Sequence, residues 1–239
     1  MNTAIAIAKR DFRAFFNSPI AYIVLGAFLL VSGWMYFSTL FLAGEATLRG
    51  FFGIAPVLFV VFAPAITMRL LAEERKAGTI ELLMCMPLKD WEVVVGKFLA
   101  AISMVAVGLL FTVPYALSVA GLTKTGFSFD WGPAVAGYVG LLLLASAFLA
   151  IGLWASALSR NQIIGFIVGL ILCFAFYFID KFAMLLPESL SEMVQYLSVD
   201  YHFANISRGV FDSRDILFYL SLTAVGLVLT TRSLAAVRK

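Results

Sequence analysis

Long apolar runs, rarely interrupted by charge, dominate the pattern of this 239-residue chain. A helix needs roughly 20 apolar residues to cross a hydrocarbon core of about 30 Å, and six runs approach or exceed that length. Barrel strands would alternate polar and apolar positions, which these runs do not, so we predict an all-α membrane protein with six transmembrane helices. The predicted spans are 20–42, 52–71, 98–120, 134–158, 163–179 and 216–231, the last two extending through Leu186 and toward Val237.

An amphipathic helix is predicted over residues 2–18, ahead of the first span. Its aromatic and aliphatic side chains share one side of the helical wheel, and its basic side chains lie on the other. We expect it to lie on the membrane surface, basic face toward the headgroups, before the chain turns into the bilayer at Pro19. The alternative is that the first span simply begins earlier. The residues that define the two faces are Ile5, Ala8, Lys9, Arg10, Phe12, Arg13, Phe15 and Phe16.

The distribution of charge predicts which side of the membrane the two termini face. The chain is 62% hydrophobic and only 13% charged, whereas soluble domains carry about a quarter charged residues. Lys and Arg are concentrated on one side of the predicted spans, which holds 12 of them against 5 on the other. By the positive-inside rule, both termini are therefore cytoplasmic. The net charge of +3 reports this topology and does not indicate nucleic-acid binding.

A charged stretch between the second and third spans, residues 68–98, breaks the apolar pattern. Gly78 is predicted to end the helix of the second span, and Thr79 to begin a short amphipathic helix over 80–86. Asp90 is predicted to cap the third span, with Glu92 in its first turn. Two interpretations stay open on physical grounds: a short helix that presents a lever to a cytosolic partner, or a charged hairpin that is merely solvated.

The predicted outward segment, residues 186–215, is the longest connection on the other side of the membrane. Apolar residues recur at helical spacing in its first half, which predicts an amphipathic helix at or dipping into the outer leaflet. A polar turn is expected next, and Ser213 is the predicted N-cap of the last span. The segment is interpreted as a lid that packs the outer face or, alternatively, as an exit gate.

Groups for catalysis or ion coupling are scarce. The single histidine, His202, is interpreted as an ordinary polar loop residue, and one histidine with two separated cysteines cannot form a zinc set. The predicted span interiors hold no Asp, Glu, Lys or Arg, which argues against proton coupling. Pro56, Pro64 and Pro114 are expected to kink their helices, and a GxxxG at 165–169 permits close packing. The sequence contains no phosphate loop, so if the chain transports a substrate, the energy would come from another protein.

The string AEERKAGTIELLMCMPLKDWEVVVGKF, with six spans and a preceding amphipathic helix, resembles the permease subunit of type 2 ATP-binding cassette (ABC) transporters. The flanking NSPIAY and SRGVFDSRD are most similar to the gliding-motility-type permeases. The resemblance covers essentially the whole chain. It implies a single permease domain over 1–239 in the bacterial inner membrane, with a connecting helix at 2–18, a coupling-helix region at 73–86 and outward re-entrant helices within 186–215.

The resemblance also implies partners. The coupling-helix region would dock on a separate ATP-binding subunit that carries the ATP and Mg, so that this chain is not an enzyme and has no cofactor or metal of its own. A second copy or a sister permease would complete the transporter, with membrane lipid and an envelope auxiliary protein as further partners. The residues implied at the ATPase-subunit interface are Glu73, Glu74, Arg75, Lys76, Gly78, Thr79, Glu81 and Leu82.

The function implied is export of a substrate, or its extraction from the membrane, driven by the partner's ATP hydrolysis. The alternative is a membrane subunit that transports nothing and transmits ATP-driven motion to an envelope partner. An intramembrane enzyme is disfavoured because the chain lacks recognisable catalytic groups. Substrate identity lies beyond the sequence, since apolar walls suit lipids, lipid-linked sugars, drugs or peptides.

Overall fold

The computed structural model describes residues 2–43, 47–78, 89–122, 130–183, 187 and 194–237. These residues form nine α-helices and no strand, which confirms the all-helical fold class. Six stretches are long and apolar enough to cross a membrane, in agreement with the predicted spans. The helices are α1 (Asn2–Phe16), α2 (Pro19–Ala43), α3 (Arg49–Lys76), α4 (Asp90–Leu110), α5 (Val113–Leu122), α6 (Trp131–Leu158), α7 (Gln162–Ala183), α8 (Val199–Ser207) and α9 (Ser213–Val237).

The spans run alternately up and down, so the chain has two ends that we name by the termini. The proximal end holds α1, the end of α3, the start of α4 and the end of α9. The distal end holds the start of α3, the start of α6, and α8. Both termini therefore lie at the same end, as an even number of spans requires.

Helix α6 is the centre of the bundle and packs against α3, α4, α7, α8 and α9. Small residues allow these close approaches. Gly165 and Gly169 of α7 face α6, where a Cβ on Gly169 would lie 3.5 Å from the Cα of Gly152. The predicted GxxxG is thus confirmed as a packing face, and it is used within the chain.

The third span is broken. Helix α4 ends at Leu110 and α5 begins at Val113, one residue before Pro114, which lacks the N–H that a continuous helix would need. Within the break, the Tyr138 hydroxyl of α6 donates to the carbonyl of Thr112 at 3.0 Å, and the Tyr115 N–H donates to the same carbonyl at 2.8 Å. The kink predicted at Pro114 is confirmed as a break, whereas α3 runs continuously through Pro56 and Pro64.

Helix α1 is confirmed as a helix that ends before Asn17 and Ser18, but its buried side differs from the predicted aromatic face. Ala4, Ile7 and Asp11 are buried, and α1 packs mainly on α4. The contact is close because Gly96 of α4 has no side chain, and a Cβ there would lie 2.8 Å from the Ala4 oxygen. The basic residues Lys9, Arg10 and Arg13 are exposed, and the aromatic residues Phe12, Phe15 and Phe16 are partly buried. Placement of α1 on a membrane surface stays a prediction.

The distal helix α8 corrects the polar turn that we predicted after the outward amphipathic helix. Residues 199–207 are helical, with Ser198 as N-cap and with Val199, His202, Phe203 and Ile206 buried. The start of α9 is also one residue off, because Ser213 is already helical and the Asp212 carboxylate accepts from the Arg214 N–H at 2.9 Å. Most of the predicted outward amphipathic helix lies outside the described residues.

His202 is a buried residue of α8, so its interpretation as an ordinary polar loop residue was wrong. Its Nδ1 lies 2.6 Å from an Asp215 carboxylate oxygen, and its Nε2 lies 3.0 Å from the carbonyl oxygen of Tyr196. Its ring stacks on Phe218 with centroids 4.1 Å apart. Each of the two ring nitrogens therefore lies within hydrogen-bonding distance of an oxygen, one on Asp215 and one on Tyr196. The histidine thereby fastens α8 to the start of α9.

We predict that Gly226→Ala destabilises the chain, because α9 touches the α6 backbone at this position. An added Cβ would lie 2.9 Å from the Ala150 Cβ and 3.0 Å from its carbonyl carbon. Overpacking of this kind costs about 1–3 kcal/mol. Gly26→Ala is the matched control, since its Cβ would meet nothing within 4 Å. Thermal unfolding in detergent measures both variants, and equal melting temperatures would contradict the predicted close contact.

Candidate functional site

Helix α3 ends within the charged stretch, just before Gly78, as predicted from the sequence. Lys76 is the last helical residue, and the Ala77 N–H donates to the Glu73 carbonyl at 2.9 Å. Gly78 follows with φ +69°, a left-handed conformation that glycine adopts without steric penalty. This confirms Gly78 as the helix stop. The predicted short helix over 80–86, with Thr79, Glu81 and Leu82, lies outside the described residues.

Four charged side chains from three helices meet at the proximal end, and we call them the Lys97 cluster: Arg10, Asp11, Glu74 and Lys97. The Lys97 ammonium of α4 lies 2.7 Å from a Glu74 carboxylate oxygen of α3 and 3.2 Å from an Asp11 oxygen of α1. Arg10 pairs with Asp11 at 2.8 Å and with Glu74 at 3.4 Å. The cluster therefore joins α1, α3 and α4 through two cations and two carboxylates.

The Lys97 cluster is buried in its centre and open at its rim. The Lys97 side chain is 2% exposed, Asp11 10%, Glu74 21% and Arg10 51%. A buried charge is tolerated when it is paired, and here each carboxylate contacts both cations. The hydrogen bond with Asp11 raises the pKa of Arg10 above its ordinary value, so this guanidinium stays charged. The cluster is neutral as a whole, which explains how a lysine is accommodated in an otherwise apolar contact.

The other charged residues at the end of α3 are also held within the chain, with one exception. Glu73 pairs with Arg69 one turn earlier at 3.0 Å, and Arg69 reaches the Ser18 hydroxyl at 3.3 Å. Arg75 donates to the carbonyl oxygen of Ala157 at the end of α6. Lys76, by contrast, is exposed at the tip of the helix. Of the predicted interface residues, Glu73, Glu74 and Arg75 contact other residues of this chain, whereas Lys76 points away from it. Their contact with an ATPase subunit stays a prediction.

A serine of α6 inserts into the hydrogen-bonding of α3 near the same end. The Ser156 hydroxyl oxygen accepts from the backbone N–H groups of Leu71 and Ala72 at 3.3 and 3.1 Å, and the hydroxyl donates to the Met68 carbonyl at 3.0 Å. A backbone contact of this kind needs close helices, and Gly152 one turn earlier on α6 provides the space beside Thr67. The end of α3 is consequently attached to α6 as well as to α1 and α4.

Beside the Lys97 cluster lies a cleft of about 260 Å³ between α1 and α3. Carboxylates and cations line it together, among them Asp11, Glu73 and Arg69, along with the apolar Phe15 and Leu70. Its mixed charge gives it no preference for an anion or a cation.

Helix α4 begins near the other end of the charged stretch. Its first helical residue is Asp90, so the N-cap is Lys89 and the predicted cap was one residue late. Glu92 lies in the first turn as predicted, and its carboxylate accepts from the Lys89 N–H at 3.4 Å. Both ends of the stretch 79–88 are thus attached to ordered helix termini, α3 before it and α4 after it.

Sequence reasoning missed the pairing of Asp11 and Lys97. We placed Lys97 just outside the third span, whereas the helix begins at Asp90 and includes it. Two signals were available. Asp11 follows Ala4 and Ile7 at helical spacing on α1, and Lys97 follows a glycine within an apolar helix. Neither signal indicates the partner, because the two residues are 86 positions apart in the chain.

The comparison with protein families is consistent with this architecture. A family model described as ABC-2 family transporter protein matches residues 36–230, which include most of α3 to α9 and the Gly78 turn. A comparison with curated proteins gives no match. Membership of this family implies an ABC ATP-binding partner and dimerisation, and its proteins are membrane transport components. With its six candidate spans, the chain belongs to the ABC-2 family of transporter proteins as a multi-pass membrane permease subunit.

Proposed function

We propose that the chain is the permease subunit of an ABC exporter whose ATP and Mg are bound by a separate subunit. Segment 73–86 would dock on that subunit, with Lys76, Thr79, Glu81 and Leu82 facing it. The proposal is supported by the family match and by the motif around Gly78, which ends α3 with an exposed lysine. Export or extraction of an unidentified substrate across the bacterial inner membrane is the transport step, with both termini cytoplasmic.

The Lys97 cluster is the observation that carries the mechanism. A push on segment 79–88 acts on both helices that flank it, α3 and α4. Since Glu74 and Lys97 join those helices at 2.7 Å, they would move together, and Asp11 would draw α1 with them. Residues of the predicted interface that point inward, such as Glu74, would therefore pass on the motion that outward residues receive.

A complete transporter requires a second permease domain, and we propose a second copy of this chain or a sister permease. The outer faces of α2 and α7 expose large apolar side chains, such as Trp34, Phe41, Ile167 and Ile171. Such faces suit either lipid or a second permease. The gliding-motility-type subtype is proposed from NSPIAY and SRGVFDSRD alone, and an envelope auxiliary protein is proposed with it. If the chain instead transmits ATP-driven motion to that auxiliary protein, we expect the permease to move without transporting a substrate.

The test is affinity purification of the chain from its native membrane in mild detergent, with identification of bound proteins and an ATPase assay. We expect an ATP-binding subunit to be retained. The double variant Lys76→Glu with Glu81→Lys should lower its retention and its stimulated ATPase activity by about tenfold or more, because interface charges of this kind are worth several kcal/mol. Lys76 is exposed, so membrane insertion should be unchanged.

Arg214→Glu is the matched control, because it reverses an exposed charge at the distal end. It should retain the subunit and its activity. Isolation of the wild-type chain without any ATPase, even after crosslinking, would refute the proposal. Glu74→Lys is unsuitable as an interface test, because the new ammonium would face Lys97 and disturb the fold.

A further inference from the structure

A pocket at the distal end has no role in the transport mechanism proposed above. It lies between the start of α3 and helix α8, and its volume is about 470 Å³. Two guanidinium groups line it, Arg49 from α3 and Arg208 from the end of α8. Phe52 and Phe203 form an apolar wall beside them. The pocket therefore combines two cations with an aromatic surface.

The two arginines of this pocket lack a carboxylate partner within the described part of the chain. The pocket does contain one acid, Asp200, but its carboxylate pairs with Lys181 at 3.2 Å. Lys181 also pairs with Asp180 at 2.8 Å, so the acids nearby are occupied by another cation. Lys181, Asp180 and Asp200 together carry one net negative charge, so with Arg49 and Arg208 the surroundings of the pocket carry one net positive charge.

Both arginines project from ordered backbone. Arg49 opens the 28-residue helix α3 directly after the buried Leu48, and the Tyr36 hydroxyl anchors the preceding Thr47 carbonyl at 3.0 Å. Arg208 is the C-cap of α8, and Gly209 follows it with φ +88°, a value that favours glycine. The anchor points of the two guanidinium groups are therefore fixed before any ligand arrives.

The chemistry of the pocket favours a phosphate. Guanidinium groups bind phosphate oxygens through paired, charge-assisted hydrogen bonds, and two of them can share one phosphate. The first turn of α3 adds partial positive charge from its unpaired N–H groups. We propose that Arg49 and Arg208 bind a phosphate group in the distal pocket, with a phospholipid headgroup as its source. The aromatic wall and the position at the end of the spans favour a lipid over free phosphate.

Binding is tested with the full-length chain in uncharged detergent, without nucleotide or partner, so the result does not depend on the proposed transport function. The probes are short-chain phosphatidylglycerol and inorganic phosphate, measured by native mass spectrometry and by competition. We expect the wild-type chain to bind the lipid, and Arg49→Gln with Arg208→Gln to weaken binding by at least about tenfold, since each charge-assisted hydrogen bond contributes strongly. Competition by inorganic phosphate at millimolar concentration would identify free phosphate as the source instead.

Two further variants keep the test decisive. Arg214→Gln removes an exposed cation at the same end outside the pocket and should leave binding unchanged. Gly53→Leu keeps every charge but places a side chain in the pocket, where a Cβ meets nothing within 4 Å, and it should also weaken binding. If Gly53→Leu and the double arginine variant bind the lipid as tightly as the wild type, or if Arg214→Gln loses binding equally, the proposed site is refuted.

Discussion

Replacing Lys97 by methionine is expected to destabilise the folded chain by about 3–5 kcal/mol, the usual cost of removing one partner from a buried ion pair. Methionine retains the length and apolar stem of lysine, so the loss reports charge more than packing. Without the ammonium, the carboxylates of Asp11 and Glu74 would face each other with only the half-exposed Arg10 between them. Equilibrium unfolding in mixed micelles of mild and denaturing detergent measures the effect.

Two variants separate charge from other causes. Lys9→Met removes an exposed lysine of α1 and should change stability by less than about 0.5 kcal/mol. The triple variant Lys97→Met, Glu74→Gln and Asp11→Asn removes every charge except that of Arg10, and it should recover most of the lost stability. A Lys97→Met protein as stable as Lys9→Met would show that the Lys97 cluster does not hold α1, α3 and α4 together.

His202→Phe is expected to cost about 3 kcal/mol at the other end of the molecule. Phenylalanine preserves the stack on Phe218 but removes both hydrogen bonds of the imidazole. The Asp215 carboxylate, which is 3% exposed, would then lose its partner, and an unpaired buried charge is strongly unfavourable. The same unfolding assay applies, and protease sensitivity of the 199–213 region should rise as α8 detaches from α9.

The matched control for His202 is the double variant His202→Phe with Asp215→Leu. Removal of both polar partners leaves no buried charge, so the double variant should be more stable than His202→Phe alone. Additive losses in the two single variants and the double variant would mean that His202 and Asp215 do not interact. This double-mutant cycle thus measures the interaction free energy between His202 and Asp215, separately from the packing lost at either position.

The fold was predictable where local sequence determines structure. Apolar runs long enough to span a bilayer dominate the chain, and Gly78 ends α3 because its left-handed conformation is a local property of glycine. The break at Pro114 follows from the missing proline N–H in the same way. For these elements the deciding interactions lie within a few residues of each other, and a pattern can capture them.

The site was less predictable because its contacts are distant in the chain. Asp11 and Lys97 acquire their role only when α1 docks at Gly96, and nothing in either segment specifies the other. Helix α8 was missed for a different reason. Its buried residues Val199, His202, Phe203 and Ile206 follow helical spacing, but we interpreted the histidine and its polar neighbours as a turn. A stricter count of apolar periodicity would have detected it.

The insertion of Ser156 into the backbone of α3 has a mechanical consequence. Three hydrogen bonds join this hydroxyl to one turn of α3, at Met68, Leu71 and Ala72, and Arg75 adds a fourth connection to α6. Helices α3 and α6 should therefore move as one rigid body. Spin labels placed on these two helices would keep a constant separation throughout the ATP cycle, and they define the reference frame against which displacement of the helices not joined to them can be measured.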